Sequence, residues 1–264
     1  MNQRVKGKNI IITGASGGIG EQMALKVAEN GGNVALIARR LHLLENLKQT
    51  IEADYQTTVK IYQLDVAQYD EIPGVFTTIM DDFGEVHGLI NNAGFGIFKE
   101  AHEAPFSVVK GMFEVNVLGL IACTGELLPH MRRQGFGHII NIASQAGKFA
   151  TPKSSAYSAS KHAVLGYTNS LRMEASRYGV QVTAVNPGPI ATDFFSIADE
   201  SGTYAKNVGK WMLNPHLVAE KVVNSLFTNR REINLPVWMN AGSVIYQLFP
   251  SFVEKVGNKL FFKK

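Results

Sequence analysis

The amino-acid sequence predicts an α/β fold: a doubly wound, mainly parallel seven-stranded sheet flanked by helices. Short apolar runs rich in Val, Ile and Leu, bounded by turn residues, alternate with longer segments of helical period. Because these runs are apolar almost throughout, we expect strands buried on both faces, as in a parallel sheet covered by helices. Each intervening segment is long enough for a right-handed crossover. No repeat or linker interrupts residues 1–264, which indicates a single domain.

The predicted elements follow in order along the chain. Strands are expected at NIIITG (9–14), NVALIAR (33–39), VKIYQLDV (59–66), VHGLINNAG (86–94), GHIINIAS (137–144), VQVTAVNPG (180–188) and EINLPV (232–237). Helices are expected at 21–32, 41–55, 69–84, across the long segment 106–134, and around Tyr157 and Lys161. The least regular segment, 193–215, follows the sixth strand. Ligands bind at such strand ends, so we expect a substrate lid there.

The composition indicates in which cellular compartment the protein works and which kinds of partner it binds. The 264 residues are 45% hydrophobic, enough for a sizeable core, and the net charge is +4. Lys and Arg are scattered, which argues against nucleic-acid binding and suits a small anionic ligand. Cys123 is the sole cysteine and lies in the apolar run GLIACTG, so we expect a buried thiol, no internal disulfide and a cytoplasmic location. The histidines lack metal-ligand spacing, and the N-terminus resembles neither a signal peptide nor a membrane anchor.

A glycine-rich loop, TGASGGIG, follows the first strand. Gly14, Gly18 and Gly20 precede or open a helix that we expect to begin near Glu21. Glycines permit a tight turn and close approach of the backbone, and a helix N-terminus offers N–H groups to a pyrophosphate. The spacing G-x-x-x-G-x-G differs from the common dinucleotide pattern G-x-G-x-x-G. A glycine-rich connection without a ligand is the alternative.

The end of the second strand favours one nicotinamide cofactor over the other. An acidic side chain normally holds the adenosine ribose of NAD there, whereas this chain has Ala38, Arg39 and Arg40. Arginines offer forked donors to a phosphate, so NADP(H) is favoured over NAD(H). The alternative is a solvated helix start.

The stretch SSAYSASKHAVLGY (154–167) places Tyr157 four positions before Lys161, on one side of a helix. A free phenol titrates near pH 10, too high for efficient proton transfer at neutrality. A positive charge at about 4 Å, at an effective dielectric of about 20, is worth about 4 kcal/mol, or up to about three pKa units. We therefore expect Lys161 to lower the pKa of Tyr157.

Seven segments in this order, TGASGGIG, LDV, NNAG, VNVLG, NIAS, YSASK and NPGPIAT, resemble the short-chain dehydrogenase/reductase family over residues 8 to about 195. The resemblance implies a Rossmann-like fold and the catalytic group Asn116, Ser144, Tyr157 and Lys161. It implies that Tyr157 is the acid or base, that Lys161 also holds the cofactor ribose, and that Ser144 donates to the substrate oxygen. Asn116 anchors a water relay to Lys161 in that pattern. Each residue also has a structural alternative: Ser144 closing a turn, Asn116 satisfying a backbone group, and Tyr157 as a half-exposed aromatic.

The same resemblance implies a set of cofactor contacts. Asp65 is expected at the adenine amino group, although it is equally a candidate helix cap. The segment NPGPIAT is expected at the nicotinamide, with a rigid turn that binds nothing as the alternative. The expected cofactor-binding residues are Gly14, Ser16, Gly18, Ile19, Gly20, Arg39, Arg40, Asp65, Val66, Asn92, Ala93, Gly94, Tyr157, Lys161, Pro187, Gly188, Ile190 and Thr192.

The resemblance implies hydride transfer between NADP(H) and a small-molecule carbonyl or secondary alcohol. A 3-oxoacyl-thioester reductase and a non-catalytic NADP(H)-sensing protein are the alternatives. The pocket walls are expected from 95–102, 145–153 and 193–215. Family members usually form homodimers or homotetramers through the helices after strands four and five, which implies the same here.

The C-terminal extension, 238–264, departs from the many relatives that end soon after the last strand. Its apolar positions Phe252, Val256 and Leu260 share a helical face. The lysines at 255, 259, 263 and 264 lie elsewhere on that helix. We favour packing of this extension against the domain or a second subunit over peripheral membrane contact.

Overall fold

The computed structural model describes residues 2–199 and 202–261 and confirms the seven-stranded doubly wound sheet. The strands are β1 (Asn9–Thr13), β2 (Asn33–Ala38), β3 (Val59–Gln63), β4 (Gly88–Asn91), β5 (Gly137–Ile142), β6 (Val180–Pro187) and β7 (Glu232–Leu235). Their order in the sheet is β3-β2-β1-β4-β5-β6-β7, and every neighbouring pair is parallel. The order reverses between β1 and β4, where open α/β sheets bind their ligands.

Helices connect the strands and cover both faces of the sheet. They are α1 (Gly18–Glu29), α2 (Leu41–Asp54), α3 (Ile72–Phe83), α4 (Phe106–Phe113), α5 (Leu120–Gln134), α6 (Ser155–Ser176), α7 (Phe194–Ala198), α8 (Thr203–Val208), α9 (Pro215–Ser225), α10 (Val237–Leu248) and α11 (Pro250–Phe261). Several predicted elements extend a few residues beyond the observed ones, and the start of α1 differs for a physical reason. The first helix begins at Gly18 instead of near Glu21, because glycines let the chain enter the helix where a Cβ would collide with the preceding loop.

The core lies in two layers, one on each face of the sheet. Ile10 and Ile12 of β1 pack with Met23 of α1, whereas the intervening Ile11 packs with Phe76 of α3. This alternation is the two-residue period of a strand, with both faces buried. Burial of each such side chain is worth about 1.5–3 kcal/mol, so both layers of helices are held firmly to the sheet.

Helices α4 and α5 form one continuous helix, Phe106–Gln134, through a π-helical segment at Glu114–Gly119. By length and apolar composition alone this helix could cross a membrane. Cys123, Leu127 and Met131 on this helix are fully buried and pack in the same core cluster as Leu89 of β4. The buried thiol of Cys123 is as expected, and burial raises its pKa to about 12.

Candidate active site

A cleft of about 590 Å³ opens at the carboxyl ends of the parallel strands. The loops after β1, β2, β4, β5 and β6 all contribute to its lining. In a parallel sheet these strand ends meet at one edge, so segments far apart in sequence converge there.

The glycine loop after β1 leaves no room for side chains at two positions. Gly14 has a φ of +67°, and a Cβ there would lie 2.8 Å from the Cα of Ala93. A Cβ on Gly20 would lie 2.3 Å from the carbonyl oxygen of Gly14. The Nδ2 of Asn92 donates to the carbonyl oxygens of Thr13, at 3.0 Å, and Gly14, at 3.1 Å. The side chain of Asn92 therefore fixes the glycine loop to the end of β4.

The two arginines after β2 occupy the cleft near this loop. Arg40 donates from Nη2 to the Oγ of Ser16 at 3.0 Å. Arg39, whose side chain is 71% exposed, has its Nη1 3.6 Å from the Oδ2 of Asp65. The other carboxylate oxygen of Asp65 accepts from the backbone N–H of Ala67 at 3.1 Å. Asp65 thus lines the cleft and also caps a turn, and its contact with the adenine amino group stays a prediction.

Tyr157 and Ser144 meet on the substrate side of the cleft. Tyr157 lies in the first turn of α6, and Ser144 follows β5. Burial raises the pKa of the Tyr157 phenol to about 12, although a hydrogen bond with Ser144 acts in the opposite direction. Ser144 also accepts from the backbone N–H of Ala146 at 3.0 Å and so caps the turn that follows.

Lys161 does not act on Tyr157 as the sequence predicted. Its Nζ lies 5.9 Å from the centroid of the Tyr157 ring and donates to the carbonyl oxygen of Ile142 at 2.9 Å. Burial lowers the pKa of Lys161 to about 8, which reduces the charge it carries near neutrality. The expected lowering of the Tyr157 pKa is therefore wrong for this structure. The reason is that burial outweighs an ammonium directed at a strand-end carbonyl.

Asn116 lies behind the cleft, in the π-helical segment, and is 1% exposed. Its Oδ1 accepts from the N–H of Phe95, and its Nδ2 donates to the carbonyl oxygen of Phe95, both at 2.9 Å. The Nδ2 also donates to the Oγ of Ser160 at 3.1 Å. A Cβ on Gly94 would lie 3.0 Å from Asn116 Oδ1 and 3.7 Å from Lys161 Nζ. The Asn116 amide therefore holds the backbone of Phe95 near Lys161. This is the structural role given above as the alternative for Asn116, and its part in a water relay stays a prediction.

The segment after β6 approaches the glycine loop. Gly188 donates its N–H to the carbonyl oxygen of Leu235 at 2.6 Å. A Cβ on Gly18 would lie 3.7 Å from Thr192, so the two loops face each other across the cleft. A bridge between Ile190 and Leu213 ties this segment to the chain beyond α8.

Aromatic side chains wall the substrate half of the cleft. The Tyr157 ring centroid lies 5.9 Å from that of Phe98 and 5.8 Å from that of Phe194. Phe98 and Phe194 belong to the wall segments 95–102 and 193–215 expected from the sequence, and Phe149 comes from 145–153. Met239 of α10 also lines the cleft, which the sequence did not indicate because only tertiary folding brings α10 beside Gly188. The lid function of 193–215 stays a prediction, and Glu200 and Ser201 lie outside the described residues.

The structure brings most of the predicted site residues into this one cleft. Those that line it are Gly14, Ser16, Gly18, Ile19, Arg39, Arg40, Asp65, Val66, Asn92, Ala93, Gly94, Ser144, Tyr157, Lys161, Pro187, Gly188, Ile190 and Thr192. Gly20 and Asn116 are the exceptions. Both lie one layer behind, where they hold the lining residues in place.

Comparison with known proteins bears on the family and the fold of the chain. The family model described as short chain dehydrogenase matches residues 8–201. An uncharacterized oxidoreductase of Staphylococcus saprophyticus is 39% identical over 191 residues, which cover 72% of this chain and 76% of the relative. The alcohol dehydrogenase of Thermococcus sibiricus, solved with 5-hydroxy-NADP, superposes with a TM-score of 0.79 at 27% identity, covering 87% of this chain and 96% of that one.

A short-chain dehydrogenase/reductase from Burkholderia phymatum, solved with NAD, superposes with a TM-score of 0.86 at 24% identity and supports the fold alone. That match covers 96% of each chain. From the family-model match, the sequence identity and the shared fold, the chain belongs to the short-chain dehydrogenase/reductase family of oxidoreductases.

Proposed function

We propose that this oxidoreductase interconverts an apolar ketone or aldehyde and the corresponding alcohol, with NADP(H) as cofactor. The observation that carries the proposal is the meeting of Tyr157 and Ser144 in a cleft that also contains the glycine loop and two arginines. A proton donor beside a cavity for an anionic nucleotide is the combination that carbonyl reduction requires.

The residues of the cleft fit a dinucleotide phosphate. Gly14 and Gly18 line the cleft without side chains, which permits close approach of the loop backbone to a ligand. Arg40 and Ser16 together present guanidinium and hydroxyl donors, and Arg39 is largely exposed. These donors favour a 2′-phosphate, and the proposal of NADP(H) over NAD(H) rests on them. When bound, the nicotinamide supplies or accepts the hydride.

Tyr157 is the proposed general acid in the direction of reduction. With a pKa of about 12 the phenol is protonated at neutral pH but lies above the range in which proton transfer is efficient, so the proposal that Tyr157 is the acid rests on its place in the cleft. Ser144 lies beside the phenol, and its hydroxyl, which donates to the carbonyl oxygen of Pro187 at 3.4 Å, is the proposed donor to the oxygen that gains negative charge. Lys161, with a pKa of about 8, is mostly protonated at neutral pH and lies close to Gly94. It is the proposed contact for the cofactor ribose.

The test is consumption of NADPH with a panel of aromatic, aliphatic, steroid and 3-oxoacyl-thioester carbonyls, comparing the parent with Tyr157→Phe. We expect turnover of apolar ketones or aldehydes, and a loss of about a hundredfold to ten-thousandfold in kcat in the variant with unchanged NADPH binding. Undiminished turnover in the variant would contradict the role of Tyr157. NADPH binding without consumption across the panel would favour a sensor, and activity confined to the thioesters would favour the 3-oxoacyl reductase.

A further inference from the structure

Helix α10 turns its apolar side outward. Trp238, Val244, Ile245 and Leu248 are between 46% and 66% exposed, and they recur at helical spacing. The inward side carries polar residues, among them Ser243, which is 1% exposed. A helix that covers the core of a soluble domain has the opposite arrangement. The apolar face of α10 is therefore not used to hold α10 to its own domain.

This apolar face continues beyond α10. The rings of Trp211 and Trp238 are in contact, with centroids 5.9 Å apart, and Trp211 is 64% exposed. Phe252 of the adjoining helix α11 is 66% exposed, and Ile197 of α7 is 67% exposed. We name this surface the apolar rim and define it by Ile197, Trp211, Trp238, Ile245, Leu248 and Phe252. Exposed apolar patches that extend over several elements mark interaction surfaces.

The apolar rim borders the substrate half of the cleft. Ile197 belongs both to the rim and to the cleft lining, and Met239, the neighbour of Trp238, lines the cleft. Phe149 lines the cleft too, and its ring centroid lies 6.5 Å from that of Tyr246 on α10. The apolar surface outside the protein is thus continuous with the aromatic wall inside it.

Positive charges flank the rim. Lys206 and Lys210 beside Trp211 are exposed, as is Lys255 on α11. Helix α10 itself has no charged side chain, and residues 237–264 contain four lysines and one glutamate. The side chains of Lys259 and Leu260 are not described, and Lys263 and Lys264 lie outside the described residues. Tryptophans and apolar residues flanked by lysines are the composition of surfaces that lie on anionic bilayers.

We propose that the apolar rim docks on an anionic lipid bilayer and that the substrate is an apolar carbonyl compound drawn from that bilayer. The substrate class rests on the proposed function, whereas docking requires no turnover. A second copy of the chain fits the rim less well. A partner copy seated on the rim would cover Ile197 and Met239 at the mouth of the cleft, where substrate must enter.

Docking is tested by flotation with vesicles made of equal parts phosphatidylcholine and phosphatidylglycerol. We expect the parent to float with these vesicles. The double variant Ile245→Glu, Leu248→Glu is expected to bind them at least about tenfold more weakly. The control is Met173→Glu. Met173 is 68% exposed and lies near the C-terminal end of α6, whereas Tyr157 lies near the N-terminal end. Thermal melting followed by circular dichroism establishes that all variants are folded.

Turnover then tests the substrate class. With NADPH, the double variant is expected to reduce a short water-soluble aldehyde at the parental rate. It is expected to lose most of its activity toward a long-chain aldehyde embedded in the vesicles. Absence of flotation, or flotation equal in parent and double variant, would overturn the docking proposal. If the parent were a dimer that binds no vesicles and the double variant were a monomer, the rim would be an interface with a second copy. That result would also overturn the docking proposal. Tyr157→Phe is expected to float like the parent, which separates docking from catalysis.

Discussion

At the scale of single residues, burial sets the pKa of both Tyr157 and Lys161, the two residues proposed to act in the reaction. Tyr157 is buried beside Ser144 in a site that raises the pKa of its phenol to about 12. Lys161 donates to a strand-end carbonyl, and its own pKa falls to about 8. The sequence pattern identified both residues and their shared helix. The direction in which the pKa of the phenol shifts depends on burial, and a four-residue spacing in the sequence cannot show burial.

Arg39 provides a test of cofactor preference at this scale. Arg39→Asp replaces a donor that lies 3.6 Å from Asp65 by a second carboxylate, which would repel a 2′-phosphate. We expect the Kd for NADPH to rise at least about tenfold, with a smaller change for NADH. The measurement is cofactor titration by fluorescence, with Arg177→Asp, an exposed arginine at the far end of α6, as the matched control. Equal losses of both cofactors would remove the assignment of NADP(H).

At the scale of secondary-structure elements, the site depends on irregular features at the ends of helices and strands. The π-helical segment Glu114–Gly119 places Asn116 against the backbone of Phe95, and the early start of α1 brings Gly20 against Gly14. The apolar periodicity of the long segment 106–134 predicted a helix and could not show the widened turn. That turn is set by the partners that Asn116 finds in other segments.

Gly20 tests the packing of helix α1 on the glycine loop. A Cβ in Gly20→Ala would lie 2.3 Å from the Gly14 carbonyl oxygen, so the helix must shift away. Overpacking of this kind costs about 1–3 kcal/mol, and the shift is expected to abolish cofactor binding. Chemical denaturation and cofactor titration measure the two effects.

Gly74→Ala in α3 is the matched control for this change. A Cβ on Gly74 meets nothing within 4 Å, and alanine is favoured over glycine in a helix by about 1 kcal/mol. We therefore expect Gly74→Ala to be neutral or stabilising with normal cofactor binding. Equal behaviour of the two variants would show that close packing at Gly20 is not required.

At the scale of the whole molecule, buried polar groups join the sheet to the segments around it. His138 of β5 accepts at Nδ1 from the backbone N–H of Phe227 at 2.8 Å, and its Nε2 lies 2.9 Å from the Oγ1 of Thr183 on β6. The Thr183 hydroxyl donates to the carbonyl oxygen of Arg230, so the imidazole is neutral with its proton on Nε2. Burial lowers the pKa of His138 to about 4.

This histidine makes folding stability depend on pH in a defined direction. Between about pH 6.5 and pH 4, His138 binds a proton in the unfolded chain but not in the folded chain. The free energy of unfolding therefore falls as the pH decreases. The expected loss is up to about 3 kcal/mol by pH 4, and His87, whose pKa burial also lowers, acts in the same direction.

Denaturant unfolding at a series of pH values measures the effect. His138→Gln is expected to flatten the dependence even where it lowers stability overall. His216→Gln, at an exposed position, is the control and should leave the slope unchanged. A slope that is the same in His138→Gln as in the parent would show that another group is responsible.

The sequence alone determined the α/β class, the seven strands in chain order, the glycine loop, and the residues that meet in the cleft. Each of these depends on local periodicity or on a short motif, and parallel strands necessarily bring their carboxyl ends together. Tertiary structure alone decided that the Asn116 amide bonds the backbone of Phe95 and the Oγ of Ser160, that the Lys161 ammonium donates to the carbonyl oxygen of Ile142, and that Met239 reaches the cleft. It also decided that α10 presents its apolar side outward. These properties depend on which distant segments become neighbours, and no local pattern in the chain encodes that.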